Sequence, residues 1–216
     1  KSPGWNQASS PVNQLIIDIQ RHVIIKAEGI TKATVSIILP FLVEKLSDRK
    51  LKTPITELLN IIAEAICPSF IIHQICEISA TNKGTKSMSP KTITSALEIV
   101  GDIIKNYGVG NISVADLMPH LLKLLQYKTQ DVKAASTIII KYLYKKFGDP
   151  IEKSILDLPG PVVERLKKEF SLAASLPEPT KKFYRIITLT LKPTKVARVP
   201  LTKFVTSDII ESATTA

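Results

Sequence analysis

The stretch ILPFLVEKL, residues 38–46, returns later in the chain as LMPHLLKLL, residues 117–125. In both copies a proline follows two apolar residues, so Pro40 and Pro119 hold equivalent positions. A proline inside a helix costs about 3 kcal/mol, and a matched pair therefore indicates a shared helix kink. The two stretches predict a repeated helical unit.

Apolar residues around both stretches recur every three or four positions, which is the spacing of an amphipathic helix. A single helix is predicted over 11–28, and no part of 11–171 alternates as a strand does. After the predicted helix at 11–28, pairs of helical segments separated by polar turns predict four hairpins, and Gly108 and Gly148 close two of them. The hairpins start near residues 31, 68, 113 and 149.

These starts are 36 to 45 residues apart, close to the period of roughly 40–47 residues typical of HEAT repeats. The sequence therefore predicts an all-α fold, a HEAT-repeat α-solenoid of stacked helical hairpins. Each hairpin of such a solenoid buries its apolar face only against its neighbours.

The helical pattern ends at residue 171, and the sequence predicts a solenoid over 1–171 and a basic, proline-containing linker and tail over 172–216. The segment 181–216 holds half of the formal net charge of +10. Its cations are Lys181, Lys182, Arg185, Lys192, Lys195, Arg198 and Lys203.

Composition and motifs argue against several functional classes. No apolar run reaches the roughly 18–20 residues of a membrane helix, so a soluble protein is predicted. Cys67 and Cys76 lack the spacing of a zinc site or a disulfide framework, which favours a reducing compartment. His22, His73 and His120 fall on three predicted helices without helical partners. We expect no metal, no cofactor and no enzymatic activity, because no catalytic motif is present.

The predicted hairpin turns are rich in lysine and arginine. Turns within hairpins lie on one edge of a solenoid, so these cations are expected to form a positive ridge facing an acidic partner. The alternative is that the turns are simply solvated. The ridge comprises Arg49, Lys50 and Lys52, then Lys83, Lys86 and Lys91, and finally Lys128 and Lys133.

Short motifs in a fixed order resemble those of TOG domains from the chTOG and XMAP class of microtubule polymerases. They include KSPGW at the start of the chain, EKLSDRKLK at 44–52, YKTQDVKAAS at 127–136, YLYKKFGDPI at 142–151 and VVERLKKEF at 162–170. The resemblance covers about residues 1–185 and implies a HEAT paddle whose turns bind αβ-tubulin. The first repeat of that family is not readable here, so it is predicted to be absent or incomplete.

The resemblance also implies individual roles. Asp131 is expected to cap the helix that follows its turn. The tubulin-binding residues would be Ser10 and Asn13 in the second turn, Arg49, Lys50 and Lys52 in the third, Lys86 and Lys91 in the fourth, and Lys128 and Lys133 in the fifth.

The leading hypothesis is a non-enzymatic tubulin-binding module of a microtubule-associated protein, located in the cytoplasm on the cytoskeleton, with spindle, centrosome and cilium all open. One alternative is a generic HEAT scaffold that binds another protein. Nucleic-acid or anionic-membrane binding through the basic tail is a third hypothesis, and it rests on charge alone.

Overall fold

A computed structural model of the protein describes residues 10–26, 31–81, 88–110 and 112–181. Within these ranges the chain forms nine α-helices, two short 3₁₀ turns and no β-strand. The helices are α1 (Ser10–Lys26), α2 (Lys32–Glu44), α3 (Lys52–Ala65), α4 (Pro68–Thr81), α5 (Pro90–Tyr107), α6 (Val114–Leu125), α7 (Gln130–Phe147), α8 (Asp149–Ile155) and α9 (Gly160–Ser171).

The helices form two layers. In one layer α2 contacts α4, α4 contacts α6 and α6 contacts α8; in the other α1, α3, α5, α7 and α9 follow one another in the same way. The four hairpins are α2–α3, α4–α5, α6–α7 and α8–α9, and each begins within one residue of its predicted start. The predicted α-solenoid is confirmed.

Aliphatic side chains fill the space between the layers. Leu39, Leu58 and Ile72 are completely buried there, together with most of the isoleucine, leucine and valine residues on the facing helix sides. Pro40 lies inside α2 and Pro119 inside α6, as the repeated stretch predicted. An internal proline in the first helix is therefore a shared feature of the first and third hairpins, and the kink itself stays a prediction.

Two glycines end long helices. Gly108 follows α5 with φ 73°, and Gly148 follows α7 with φ 62°. Positive φ is strained for residues with a Cβ, so glycine at these positions lets the chain reverse direction into the next hairpin. The predicted closing role of both glycines is confirmed.

Residues 172–181, which we call the C-terminal strap, pack on the helical body although the sequence suggests a linker there. Ala173 is buried in a 3₁₀ turn, and Leu176 packs against the core. Lys181 is paired with Glu64 of α3 instead of belonging to a free basic tail. The other six tail cations lie outside the described residues, so the expected division into solenoid and tail stays a prediction.

Among the residues that the structure describes, no helix combines the length and apolarity needed to cross a bilayer.

Candidate functional site

The turns that lead from an even-numbered helix to the next odd-numbered helix share one edge of the solenoid, the turn edge. Side-chain pairs show that α3 and α5 run parallel: Lys52 at the start of α3 pairs with Glu98 in the middle of α5, and Glu64 near the end of α3 accepts a hydrogen bond from Tyr107 at the end of α5. The turns that precede α3 and α5 therefore lie on the same side of the layer, and α5 begins several residues beyond the start of α3. The described turn-edge residues are 45–51, 88–89, 126–129 and 156–159, together with the first helical turns that follow them. We call these the first to fourth turns; the first three correspond to the third, fourth and fifth turns in the family order used above.

The first turn presents two exposed cations, Arg49 and Lys50. The Asp48 carboxylate accepts a hydrogen bond from the backbone N–H of Lys50 at 2.9 Å, which is the geometry of an Asx turn. The next residue, Leu51, is completely buried and anchors the turn to the core. The backbone that carries both cations is thus fixed before any partner arrives.

Lys52 is less available than its neighbours. Its Nζ lies 2.8 Å from Oε2 of Glu98, and both side chains are about half exposed. The pair bridges α3 and α5 along the layer. Lys52 therefore contributes to joining two hairpins, a role that the sequence did not predict because Glu98 is 46 residues away.

The third turn carries Lys128, which is exposed, and Lys133, which is half-buried in the first turns of α7. Asp131 does not occupy the capping position that was expected. Thr129 is the N-cap residue, and Asp131 lies inside the first turn of α7. A carboxylate there still complements the positive end of the helix dipole, so Asp131 stabilises α7 without capping it.

The second turn is described only in part. Lys86, like Lys83, lies outside the described residues, whereas Lys91 is the exposed second residue of α5. Ser89 caps this helix, its Oγ accepting a hydrogen bond from the Thr92 N–H at 3.2 Å. An open groove of about 570 Å³ joins this turn to the third, and it is lined by Pro90, Lys123, Gln126, Tyr127, Lys128 and Thr129.

Five candidate cations of the turn edge are free of internal partners. Among the described residues they form no ion pair with a carboxylate. The first turns of α1, α3, α5 and α9 contain no acidic residue, so the partial positive charge of these helix ends is not compensated there. The five cations are Arg49, Lys50, Lys91, Lys128 and Lys133.

The positive character does not extend along the whole edge. The turn at 156–159 contains Asp157 and no lysine or arginine. The described cations are concentrated on the first three hairpins, which restricts the candidate surface to that part of the edge.

Of the two candidates on α1, Asn13 is not supported as a surface contact, because it is only 4% exposed. Ser10 is the first residue of α1, and its side chain lies outside the described residues. Asn13 lies four residues before buried Ile17 and eleven before buried Ile24, so helical spacing could have placed it on the inward face. Ser10 and Asn13 were expected in a turn, but both belong to α1, so that assignment is wrong.

The histidines and cysteines form no candidate metal site. Within the described ranges no group of three or more histidine, cysteine or acidic side chains could hold an ion. The fold does bring His73 of α4 and His120 of α6 together, with ring centroids 5.6 Å apart in an edge-to-face contact. Both cysteines are free thiols.

The two thiols differ in environment. Partial burial raises the pKa of Cys67, but hydrogen bonds from the Ser69 hydroxyl and from the N–H groups of Ser69 and Phe70 outweigh it, so the pKa lies below its ordinary value. Burial raises the pKa of Cys76 to about 12. The sequence did not reveal this contrast, because it depends on the start of α4.

Comparison with known families identifies the fold. The model of the XMAP215/Dis1/CLASP TOG domain matches residues 16–170. The chain belongs to this TOG-domain family. The match covers all four hairpins and most of α1, so the predicted resemblance is confirmed.

Curated relatives are much longer proteins. MOR1 from Arabidopsis thaliana is 23% identical over 169 residues, which cover 78% of this chain and 8% of MOR1. Centrosomal protein 224 from Dictyostelium discoideum is 26% identical over 133 residues, covering 59% of this chain and 6% of that protein. The chain therefore spans less than a tenth of the relatives it matches.

Solved structures share the architecture. TOG3 of Drosophila melanogaster Mini spindles superposes with a TM-score of 0.70 at 20% identity, covering 83% of this chain and 77% of the other. The N-terminal domain of MAST/Orbit gives a TM-score of 0.64 at 19% identity, covering 78% and 75%. At such identities the likeness establishes the fold.

Proposed function

We propose that this TOG domain is a non-enzymatic module that binds the αβ-tubulin dimer through its turn edge. The observation that carries the proposal is the set of unpaired cations on Arg49, Lys50, Lys91, Lys128 and Lys133, held on one edge by a rigid helical body. An acidic protein surface is the complementary partner for such an edge.

The comparisons support tubulin as that partner. A further solved structure has the same fold, with a TM-score of 0.62 and 18% identity, covering 82% of this chain and 38% of the other. That structure concerns tubulin recruitment and assembly by microtubule polymerases with TOG-domain arrays. A centrosomal protein is among the sequence relatives. A cytoskeletal location within a longer microtubule-associated protein follows as part of the proposal.

The geometry suggests how binding would proceed. The Asx turn at Asp48 and the buried Leu51 fix the first basic turn, so little backbone entropy is lost on association. The unpaired cations and uncompensated helix ends attract an acidic surface over several ångströms, which raises the association rate. Affinity would then fall as salt increases.

Charge reversal tests the proposal. Replacing both Lys50→Glu and Lys128→Glu should weaken binding to soluble αβ-tubulin by roughly tenfold or more, because attraction becomes repulsion at two turns. Both side chains are exposed and unpaired, so the free energy of unfolding should change by only about 0–1 kcal/mol for each residue. Calorimetric titration with tubulin and thermal unfolding measure the two effects.

A matched control carries the same change in net charge at another place. Lys167 and Lys168 are exposed and lie in the C-terminal half of α9, away from the turn edge. Lys167→Glu with Lys168→Glu should leave tubulin binding within about twofold. Equal binding by the turn-edge variant and the parent would favour the generic HEAT-scaffold function instead.

A further inference from the structure

Besides α9, which it directly follows, the C-terminal strap contacts three odd-numbered helices of the solenoid. On α7, Lys145 Nζ donates a hydrogen bond to the Leu176 carbonyl at 2.6 Å and pairs with Glu178 Oε1 at 2.6 Å. On α3, Glu64 Oε1 lies 2.7 Å from Lys181 Nζ. The strap thus joins helices on either side of α5, whereas hairpins of a solenoid normally contact only their neighbours.

The strap also completes the end of α5. The N–H of Thr180 donates to the Lys105 carbonyl at 3.3 Å, and the N–H of Lys181 donates to the Asn106 carbonyl at 2.7 Å. Carbonyls in the last turn of a helix have no donor within that helix. The strap supplies these donors from a segment more than seventy residues further along the chain.

Gly108 is shaped for this contact. A Cβ at position 108 would lie 2.9 Å from Cγ of Pro179 and 3.6 Å from its Cβ. The proline ring cannot rotate away as a flexible side chain could, so any side chain at 108 would displace the strap backbone. Gly148 has a similar φ of 62° but nothing within 4 Å of the corresponding Cβ.

A charged cluster secures the far end of the strap. The Glu64 carboxylate accepts hydrogen bonds from Lys181 and from the Tyr107 hydroxyl, and Lys181 Nζ also lies 5.4 Å from the centre of the Tyr107 ring. Three elements, α3, α5 and the strap, meet in this cluster.

We propose that the strap clamps the C-terminal ends of α3, α5 and α7 and thereby fixes the spacing of the basic turns at the opposite ends of these helices. The 18 residues of α5 span about 27 Å, so the clamp acts at a distance from the turn edge. The helices are rigid rods, so fixing their relative positions at one end limits their splay at the other.

Hydrogen exchange tests attachment of the strap. The Thr180 and Lys181 amides should exchange more slowly in the full chain than in an unstructured peptide of the same sequence. Gly108→Ala should speed their exchange by about tenfold, since it removes two hydrogen bonds to α5. Gly148→Ala, which introduces the same φ strain without a neighbour, should leave these two amides unchanged.

A second substitution separates the contact from general damage. Pro179→Ala removes the ring atom nearest to position 108, so combining it with Gly108→Ala should restore slow exchange at Lys181. Failure of this rescue, or peptide-like exchange in the parent, would show that the strap is not held against α5 and would overturn the proposal.

The effect on the turn edge is measured by electron–electron distances between spin labels at Lys50→Cys and Lys128→Cys, in a Cys67→Ser background. Thr180→Pro removes one strap donor without changing a helix and should broaden the distance distribution, as should Gly108→Ala. If the strap amides exchange rapidly while the distance distribution stays unchanged, the strap only caps α5 locally, and the proposal is contradicted. Neither measurement uses tubulin, so the result is independent of the proposed function.

Discussion

At the scale of single residues, the half-exposed carboxylate of Glu64 accepts hydrogen bonds from two elements, the strap through Lys181 and α5 through Tyr107. Hydrogen bonds from Lys181 and Tyr107 lower its pKa below the ordinary value of 4.5, against the opposing effect of partial burial. The hydrogen bond to Glu64 raises the pKa of Lys181 above its ordinary value of 10.5. Both shifts favour the ion pair that ends the strap.

The sign of each shift predicts a pH dependence for the strap. A carboxyl with a lowered folded pKa stabilises the attached state above pH 4.5, and the effect is lost as pH falls through the lowered pKa. The Lys181 amine, whose pKa is raised, stabilises the attached state below pH 10.5. This stabilisation is lost as the pH rises through the raised pKa. Both groups are about half exposed, so the change should be modest and sensitive to salt.

The measurement is amide exchange of Thr180 and Lys181, corrected for intrinsic rates, at pH 3.5 and pH 6, values chosen on either side of the ordinary Glu64 pKa of 4.5. Corrected exchange should be faster at the lower pH in the parent, and Glu64→Gln should remove most of that difference. A pH response that survives in Glu64→Gln would assign the effect to another group.

Residue roles were predictable only where they depend on local sequence. Gly108 and Gly148 follow helical runs, and their closing roles could be predicted. The Lys52–Glu98 and Lys181–Glu64 pairs join residues 46 and 117 positions apart, so no local pattern reveals them. Asn13 was misplaced because the resemblance assigned it to a turn, although the helix predicted over 11–28 also contains it.

At the scale of helices, α2 and α6 each tolerate an internal proline. A proline removes one backbone hydrogen bond and crowds the preceding turn. Pro119 is exposed on α6, whereas Pro40 is half-buried on α2. The two positions are therefore equivalent in the repeat but differ in what their rings contact.

Pro119→Ala should stabilise the domain by about 1–3 kcal/mol, because it restores a helical hydrogen bond and removes no buried surface. Pro40→Ala should gain less, since some packing is lost. Thermal unfolding followed by circular dichroism measures both, with unchanged helical content as the control for an intact fold. Destabilisation by Pro119→Ala would mean that the proline ring is needed for packing in the third hairpin.

Helices were predictable because their 3.6-residue periodicity follows directly from burial of one face. The strap was not, because it has no periodicity and is held by its backbone N–H groups and by single side chains. The exposed side of α1 was also not predictable, since Val12, Leu15, Ile19 and Val23 are apolar yet about half exposed. Periodicity predicts a helix there but not which apolar face is covered.

At the scale of the whole molecule, the strap changes where the basic tail begins. Lys181 is bound to the body, so the remaining six candidate cations start at Lys182. Removing 182–216 should reduce affinity for polymerised microtubules, because the tail would act by screened, long-range attraction. The free energy of unfolding and the affinity for soluble tubulin dimers should stay largely unchanged.

Co-sedimentation with microtubules at two salt concentrations, compared with titration of soluble tubulin, measures the difference. A chain ending at residue 180 is the matched comparison, because it also removes the strap's Lys181. Loss of vesicle or nucleic-acid binding, with unchanged microtubule affinity, would assign the tail to another acidic partner.

The most direct test of the central claim is zero-length carbodiimide cross-linking of the full chain to αβ-tubulin, with the linked residues mapped by mass spectrometry. Lysines of the turn edge should link to tubulin carboxylates, with Lys50, Lys91 and Lys128 leading. Lys146 and Lys167, which are also exposed but lie away from that edge, should link rarely. Links concentrated on Lys146 and Lys167, with none on the turn-edge lysines, would contradict the account.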